Sequence, residues 1–176
     1  GDTAEWTFFT GDGTPKATNS EIGLASTNLP SNYRELGLAG PTAAATAAVL
    51  GDEDDTETQE TRVYTYTFVN KAAGREVESA PAAASNNVDV RTSQRVKLTG
   101  LQTTAPTGYI ATHKRIYRAT AGVFLLVDEI AIAANEYEDT VSPDTLQEEL
   151  PSLYWSTPPA ELEGLINLPN GMMAGF

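Results

Sequence analysis

The chain has 176 residues, enough for one β-sandwich or barrel with appended segments, or for two small domains. Eleven basic residues against 24 acidic ones give a formal charge of −13, which repels phosphate backbones and argues against specific nucleic-acid recognition. No apolar run is long enough for stable membrane insertion, and the absence of cysteine removes disulfides, thiolate metal sites and cysteine nucleophiles. The chain begins Gly1-Asp2 and stops at Gly175-Phe176, without a basic segment followed by an apolar stretch. Both ends read as cuts, so a piece of a longer polypeptide is expected.

Trp6 to Thr10 alternates as a strand, and Gly11-Asp12-Gly13 tolerates the positive φ of a tight turn, so a hairpin is expected. Residues 17–40 read as irregular, with a loop signal at Asn28-Leu29-Pro30-Ser31 and Tyr33 to Leu38 leading into the next element. The alanine-rich run 41–50 is ambiguous, but its leading proline and two threonines favour an extended edge over a helix. Residues 51–60 carry six carboxylates in ten positions and read as a solvated loop. A calcium site is the alternative there, but the Asp-x-Asp-x-Asp-Gly spacing with a terminal glutamate is missing, so no metal is expected.

The clearest strand is Arg62 to Val69, with Tyr64, Tyr66 and Phe68 on one face and Val63, Thr65, Thr67 and Val69 on the other, both faces partly covered. Asn70 to Gly74 turns the chain, Glu76 to Ser79 pairs back, and Ala80-Pro81 ends that strand. Asn87 to Val90 and Gln94 to Leu101 give two more strands, the second with Val96 and Leu98 inward. His113 to Arg118, the turn Ala121-Gly122, and Val123 to Val127 running on through Ile132 form a second strong hairpin, and Tyr137 to Val141 closes the series. Short strands with turn signals every 8 to 12 residues point to an all-β, immunoglobulin/fibronectin III-like two-sheet sandwich over 41–142. Its expected core is Tyr64, Tyr66, Phe68, Val96, Leu98, Ile116, Tyr117, Leu125 and Val127. Residues 1–40 read as a partial β segment of a neighbouring domain, with the flanking hairpin. Residues 143–176 read as an extended, proline-rich strap with one helical turn at Asp144 to Glu149, then the start of a further β domain in which 168–176 forms a turn and a strand.

Several motifs, taken in order, carry a resemblance. They are Glu60 to Val69, Gly74-x-Glu76-x-Glu78-Ser-Ala-Pro81, Val96-x-Leu98-Thr-Gly-Leu101, Lys114-Arg-Ile-Tyr-Arg118, Tyr137-x-Asp139-Thr140 and Leu168-Pro-Asn-Gly171, with Thr10-Gly-Asp-Gly-x-Pro15 and Leu36-Gly37 upstream. Together they resemble a family of tailed-bacteriophage virion proteins, in which a fibronectin-like insert sits inside a longer tail protein. The resemblance implies a non-enzymatic structural component located in the virion, as nozzle, hub or tube-associated protein. Its implied partners are other subunits of the same protein in a ring and neighbouring tail proteins.

No catalytic residue, cofactor or metal ligand is expected. His113 is the only histidine, no Gly-x-Ser-x-Gly elbow marks a nucleophile, and His113 reads as a strand-edge side chain. Glu148/Glu149 and Glu161/Glu163 are sequence neighbours on a surface strap, not carboxyls held across a sugar. The strap carries Leu153, Tyr154, Trp155, Leu162, Leu165 and Ile166, too apolar for a free linker, so these six are the expected interface. The alternative is a glycan- or receptor-binding sandwich of an adhesin or tail fibre, using exposed aromatics, with Tyr64, Tyr66 and Phe68 as candidate stacking surfaces, and loop carboxylates.

Overall fold

In the computed structural model, which describes residues 5–72, 75–146, 148–169 and 173–176, the chain opens with β1 (Trp6–Phe9) and β2 (Lys16–Asn19). These two strands pair from Trp6↔Asn19 to Phe9↔Lys16, and Gly11 and Gly13 take positive φ in the connection. Residues 17–40 are less irregular than expected. A four-residue helix, α1 (Ser20–Gly23), is capped by Asn19, whose side chain accepts from the Ile22 N–H, and β3 (Arg34–Glu35) pairs beside β2. Elements this short carry no readable periodicity.

The alanine-rich run does become a strand, β4 (Thr46–Leu50). It is followed by β5 (Gln59–Arg62), β6 (Tyr64–Ala72), β7 (Arg75–Glu78), β8 (Val88–Arg91), β9 (Arg95–Thr99), β10 (His113–Thr120), β11 (Val123–Ala131) and β12 (Glu136–Asp139). The strand expected to start at Arg62 is interrupted at Val63. Arg62 ends β5, which pairs with β8 as a separate ribbon. The expected helical turn is shorter and earlier, a 3-10 turn at Pro143–Thr145, and Gln147 lies outside the described residues. Short β13 (Ile166–Asn167) and β14 (Met173–Ala174) pair near the end. Gly74 and residues 170–172, on which the expected turns at 70–74 and 168–171 partly rest, also lie outside the description.

The fold is all-β. A four-stranded antiparallel sheet, ordered β11-β10-β6-β7, faces a three-stranded one, ordered β12-β9-β4. Strand parity decides what lies between them. Tyr64, Tyr66 and Phe68 project inward from β6 and meet Ala47, Val96 and Leu98 from the opposite sheet and Ile116 from β10. The rings of Tyr66 and Phe68 pack edge to face at 6.2 Å between centroids. The other face of β6 is also closed, since Thr65, Thr67 and Val69 are buried, as is Tyr117 beside them on β10. Two expected core residues, Leu125 and Val127, are only half-buried; Val127 still packs against the core, and Leu125 does not belong to that cluster. The pairing jumps from Ile116↔Asp128 to Tyr117↔Leu126, so Val127 is a β-bulge that breaks the alternation, on the outermost strand of its sheet.

The strap attaches at that outermost strand. Leu126 N–H donates to the Glu148 carbonyl at 2.7 Å and Leu150 N–H to the Phe124 carbonyl at 2.9 Å, adding 148–150 alongside β11, while Leu146 and Leu150 are buried.

Candidate interaction surface

Three polar clusters brace the sandwich, and each could be mistaken for a site. Because Ile116 points inward on β10, residues two positions either side must do so too, which carries Lys114 and Arg118 into the interior. At one end, Arg118 Nη1 donates to Asp139 Oδ2 at 2.6 Å and to the Val141 carbonyl, and the Tyr64 hydroxyl donates to the same carboxylate oxygen at 2.7 Å. Arg62 stands 3.8 Å from Asp139 and bonds Glu60. Burial first, and then the Asp139 carboxylate, push the Tyr64 phenol well above its usual range. At the other end Lys114 has no carboxylate; its ammonium donates to the carbonyls of Gln102 (2.7 Å) and Ala134. Burial pushes that ammonium down to about 8.

On the outer face of the four-stranded sheet, Glu78 accepts from Tyr117 at 2.6 Å, Thr67 at 2.8 Å and Arg115 at 2.8 Å, and Arg115 also holds Glu76 and Glu129. Burial, then Glu78, raise the Tyr117 phenol. Most of these groups bond one another, Arg118 Nη2 being buried without a partner, and they hold sheets and loops in place. The acidic loop is likewise more than solvated. Arg91 reaches Glu53 and Asp55, and Glu57 accepts from the Ser93 N–H, which folds the loop onto the β8–β9 turn. Among the described residues, no group of three or more histidine, cysteine or acidic side chains is placed to hold a metal ion. His113 pairs with Val69 and Ala131 at the start of β10, and its Nδ1 lies 2.9 Å from the Thr112 hydroxyl.

The surface features lie on the strap and N-terminal side. The inward face of the β6–β7 hairpin (Asn70, Ala72, Arg75, Val77) lies beside Trp6, Arg34, Glu35, Leu36, Leu162 and Leu165. Together they enclose a cleft of about 380 Å³. Two of the expected interface residues, Leu162 and Leu165, are therefore half-buried in its wall. Leu153, Tyr154, Trp155 and Ile166 are exposed instead, Tyr154 at 92%. Ser156 and Pro158, next in the chain, line the cleft, so the exposed triplet 153–155 adjoins it. Glu148, Glu149, Glu161 and Glu163 are exposed and make no ion pair among the described residues.

Sequence reading missed the arginines of this cleft. The guanidinium carbon of Arg34 lies over the Trp6 ring, 5.7 Å from its centroid, and that of Arg75 over the Phe8 ring at 5.1 Å, two aromatics of like parity on β1. The alternation of Trp6 and Phe8 was readable; which cations cover them depends on strands distant in sequence. No family model, curated protein or solved structure matches the chain.

Proposed function

We propose that this chain is a non-enzymatic structural module of a bacteriophage tail, in a fibronectin III-like sandwich, that acts through contacts with other subunits in a ring and with neighbouring tail proteins. The observation that carries the reading is the unburied apolar run Leu153-Tyr154-Trp155, beside a cleft that the chain leaves open. Contiguous exposed apolar side chains of this size mark contact surfaces, and a head-to-tail contact stays soluble when it closes into a ring. The motif order described above supplies the virion context. The buried networks supply rigidity: residues quoted for the resemblance, Arg118, Asp139 and Glu78, are the ones that tie sheets and loops together.

The glycan-binding alternative loses its platform, because Tyr64, Tyr66 and Phe68 are fully buried and cannot stack on a sugar. The test is to locate the protein in the particle. Antibodies against the folded chain should label virions at the tail, and dissociated tails should yield the protein in a closed multi-subunit ring on sedimentation. Unlabelled particles, or a monomer recovered from tails, would remove the reading.

A further inference from the structure

We propose that the cleft between β3 and β7 receives an extended segment of a partner protein in which a carboxylate side chain is flanked by apolar residues; this rests on reading the strap side of the molecule as an interface.

Charge is the first argument. In a chain of net charge −13, nearly every cation has an acidic neighbour available. Among the described residues, Arg34, Arg75 and Lys114 are nevertheless the basic side chains without an ion pair, and Lys114 is held by two carbonyls. The remaining two line this one cleft, each lying over an aromatic ring of β1, and the carboxylate in the lining, Glu35, forms an ion pair with neither. A ring partner, unlike a carboxylate, leaves guanidinium N–H groups for a planar anion, whose forked recognition favours arginine over lysine.

Backbone is the second argument. β7 is the outermost strand of its sheet, and no described strand pairs with its far edge. An extended peptide laid along it would find free backbone donors and acceptors at the cleft wall, with Val77 and Leu165 beside it for apolar side chains. The third argument is unfinished hydrogen bonding. Trp6 Nε1, Arg34 Nε and Asn70 Oδ1 are buried without a partner, and all three residues line the cleft.

The test uses the whole chain, ¹⁵N-labelled, titrated with the acetylated and amidated peptide Thr-Val-Leu-Glu-Leu-Val-Thr. Saturable shifts should appear at the Trp6 indole and at the Arg75 and Val77 amides, with submillimolar affinity. Replacing the peptide's glutamate by glutamine, or Arg34→Met or Arg75→Met in the protein, should each weaken binding about tenfold. Arg95→Met, on β9 and paired with Glu138, should change nothing. Exposed Arg75 also permits Arg75→Lys, which keeps the charge, preserves folding and should still lose affinity because the fork is gone.

Absence of saturation, equal binding of the glutamine peptide, or unchanged affinity in the folded arginine variants would overturn the proposal. So would 4-phenylbutyrate binding as tightly as the peptide, which would make the cleft a pocket for a small free acid. Failure of peptide binding in a protein that still assembles into rings would remove this proposal alone. Rings that never form, with peptide binding intact, would remove the assembly reading alone.

Discussion

The two ends of the sandwich interior are closed by cations from one strand, Lys114 and Arg118, and they are closed differently. The pairing Phe68↔Lys114, Tyr66↔Ile116 and Tyr64↔Arg118 places each beside an aromatic of β6. At the Arg118 end that aromatic carries a hydroxyl, and a carboxylate, Asp139, gathers both groups. At the Lys114 end the aromatic is phenylalanine, and backbone carbonyls alone receive the charge. A counter-charge makes the first end depend on one residue, whereas the carbonyl cap makes the second respond to pH.

The sharpest way to break this contrast is Asp139→Ala. It strands the Arg118 guanidinium, leaving it only the Val141 carbonyl, and takes away the acceptor of Tyr64, so a loss of roughly 3–5 kcal/mol is expected in chemical denaturation. A loss under about 1 kcal/mol would mean that water reaches that end. Phe68→Ala, at the other end, should cost about 3–4 kcal/mol through the cavity it leaves beside Tyr66. Lys114→Met should cost about 1–2 kcal/mol at neutral pH, since the Gln102 and Ala134 carbonyls lose their donor.

Alkaline pH separates the two ends further. The Lys114 ammonium sits at about 8 in the fold against an ordinary 10.5, so between those values the unfolded chain binds more protons and stability rises with pH. Above pH 10 the sign reverses. Burial raises the phenols of Tyr64, Tyr117 and Tyr137, so the unfolded chain sheds protons that the fold retains. Denaturation between pH 7 and 9.5 should therefore show a gain of about 2 kcal/mol that Lys114→Met lacks. Identical pH profiles would place water at that ammonium. The smallest effect concerns the turn joining β10 to β11, where Ala121 takes φ 51° ahead of Gly122 at φ 89°. Ala121→Asn, which tolerates that conformation, should stabilise the chain by about 0.5 kcal/mol in thermal unfolding.

Much of this was readable before the fold was known. Val96 and Leu98, Tyr64 to Phe68, and the Ala121-Gly122 turn follow from alternation and turn chemistry alone. The two interior cations were readable as well: once Ile116 is placed inward, parity carries Lys114 and Arg118 with it, just as half-buried Tyr137 against the core carries Asp139. Polarity masked that inference. The bulge at Val127 left no mark, because a single extra residue in a long apolar run changes no composition and is set by pairing with β10. The cleft was partly readable. Leu162 and Leu165 announced a buried face, but Arg34 and Arg75 reach it from β3 and β7, and only their pairing with other strands decides where they stand.

After β7 the chain leaves strand geometry at Ser79-Ala80-Pro81, yet it continues to clothe β6. The Phe68 and Tyr64 N–H groups donate to the hydroxyls of Ser79 and Ser85 at 2.9 and 3.0 Å. The carbonyls of Phe68, Tyr66 and Tyr64 accept from the N–H groups of Ser79, Ala82 and Ser85. A segment of this kind finishes a sheet edge without presenting another, since it contains a proline and lends side chains in place of a backbone ladder. The strand that supplies three aromatics to the core is thereby kept from templating the strands of other chains. An edge along residues 64–68 that would otherwise invite amyloid-like stacking is closed within the chain itself.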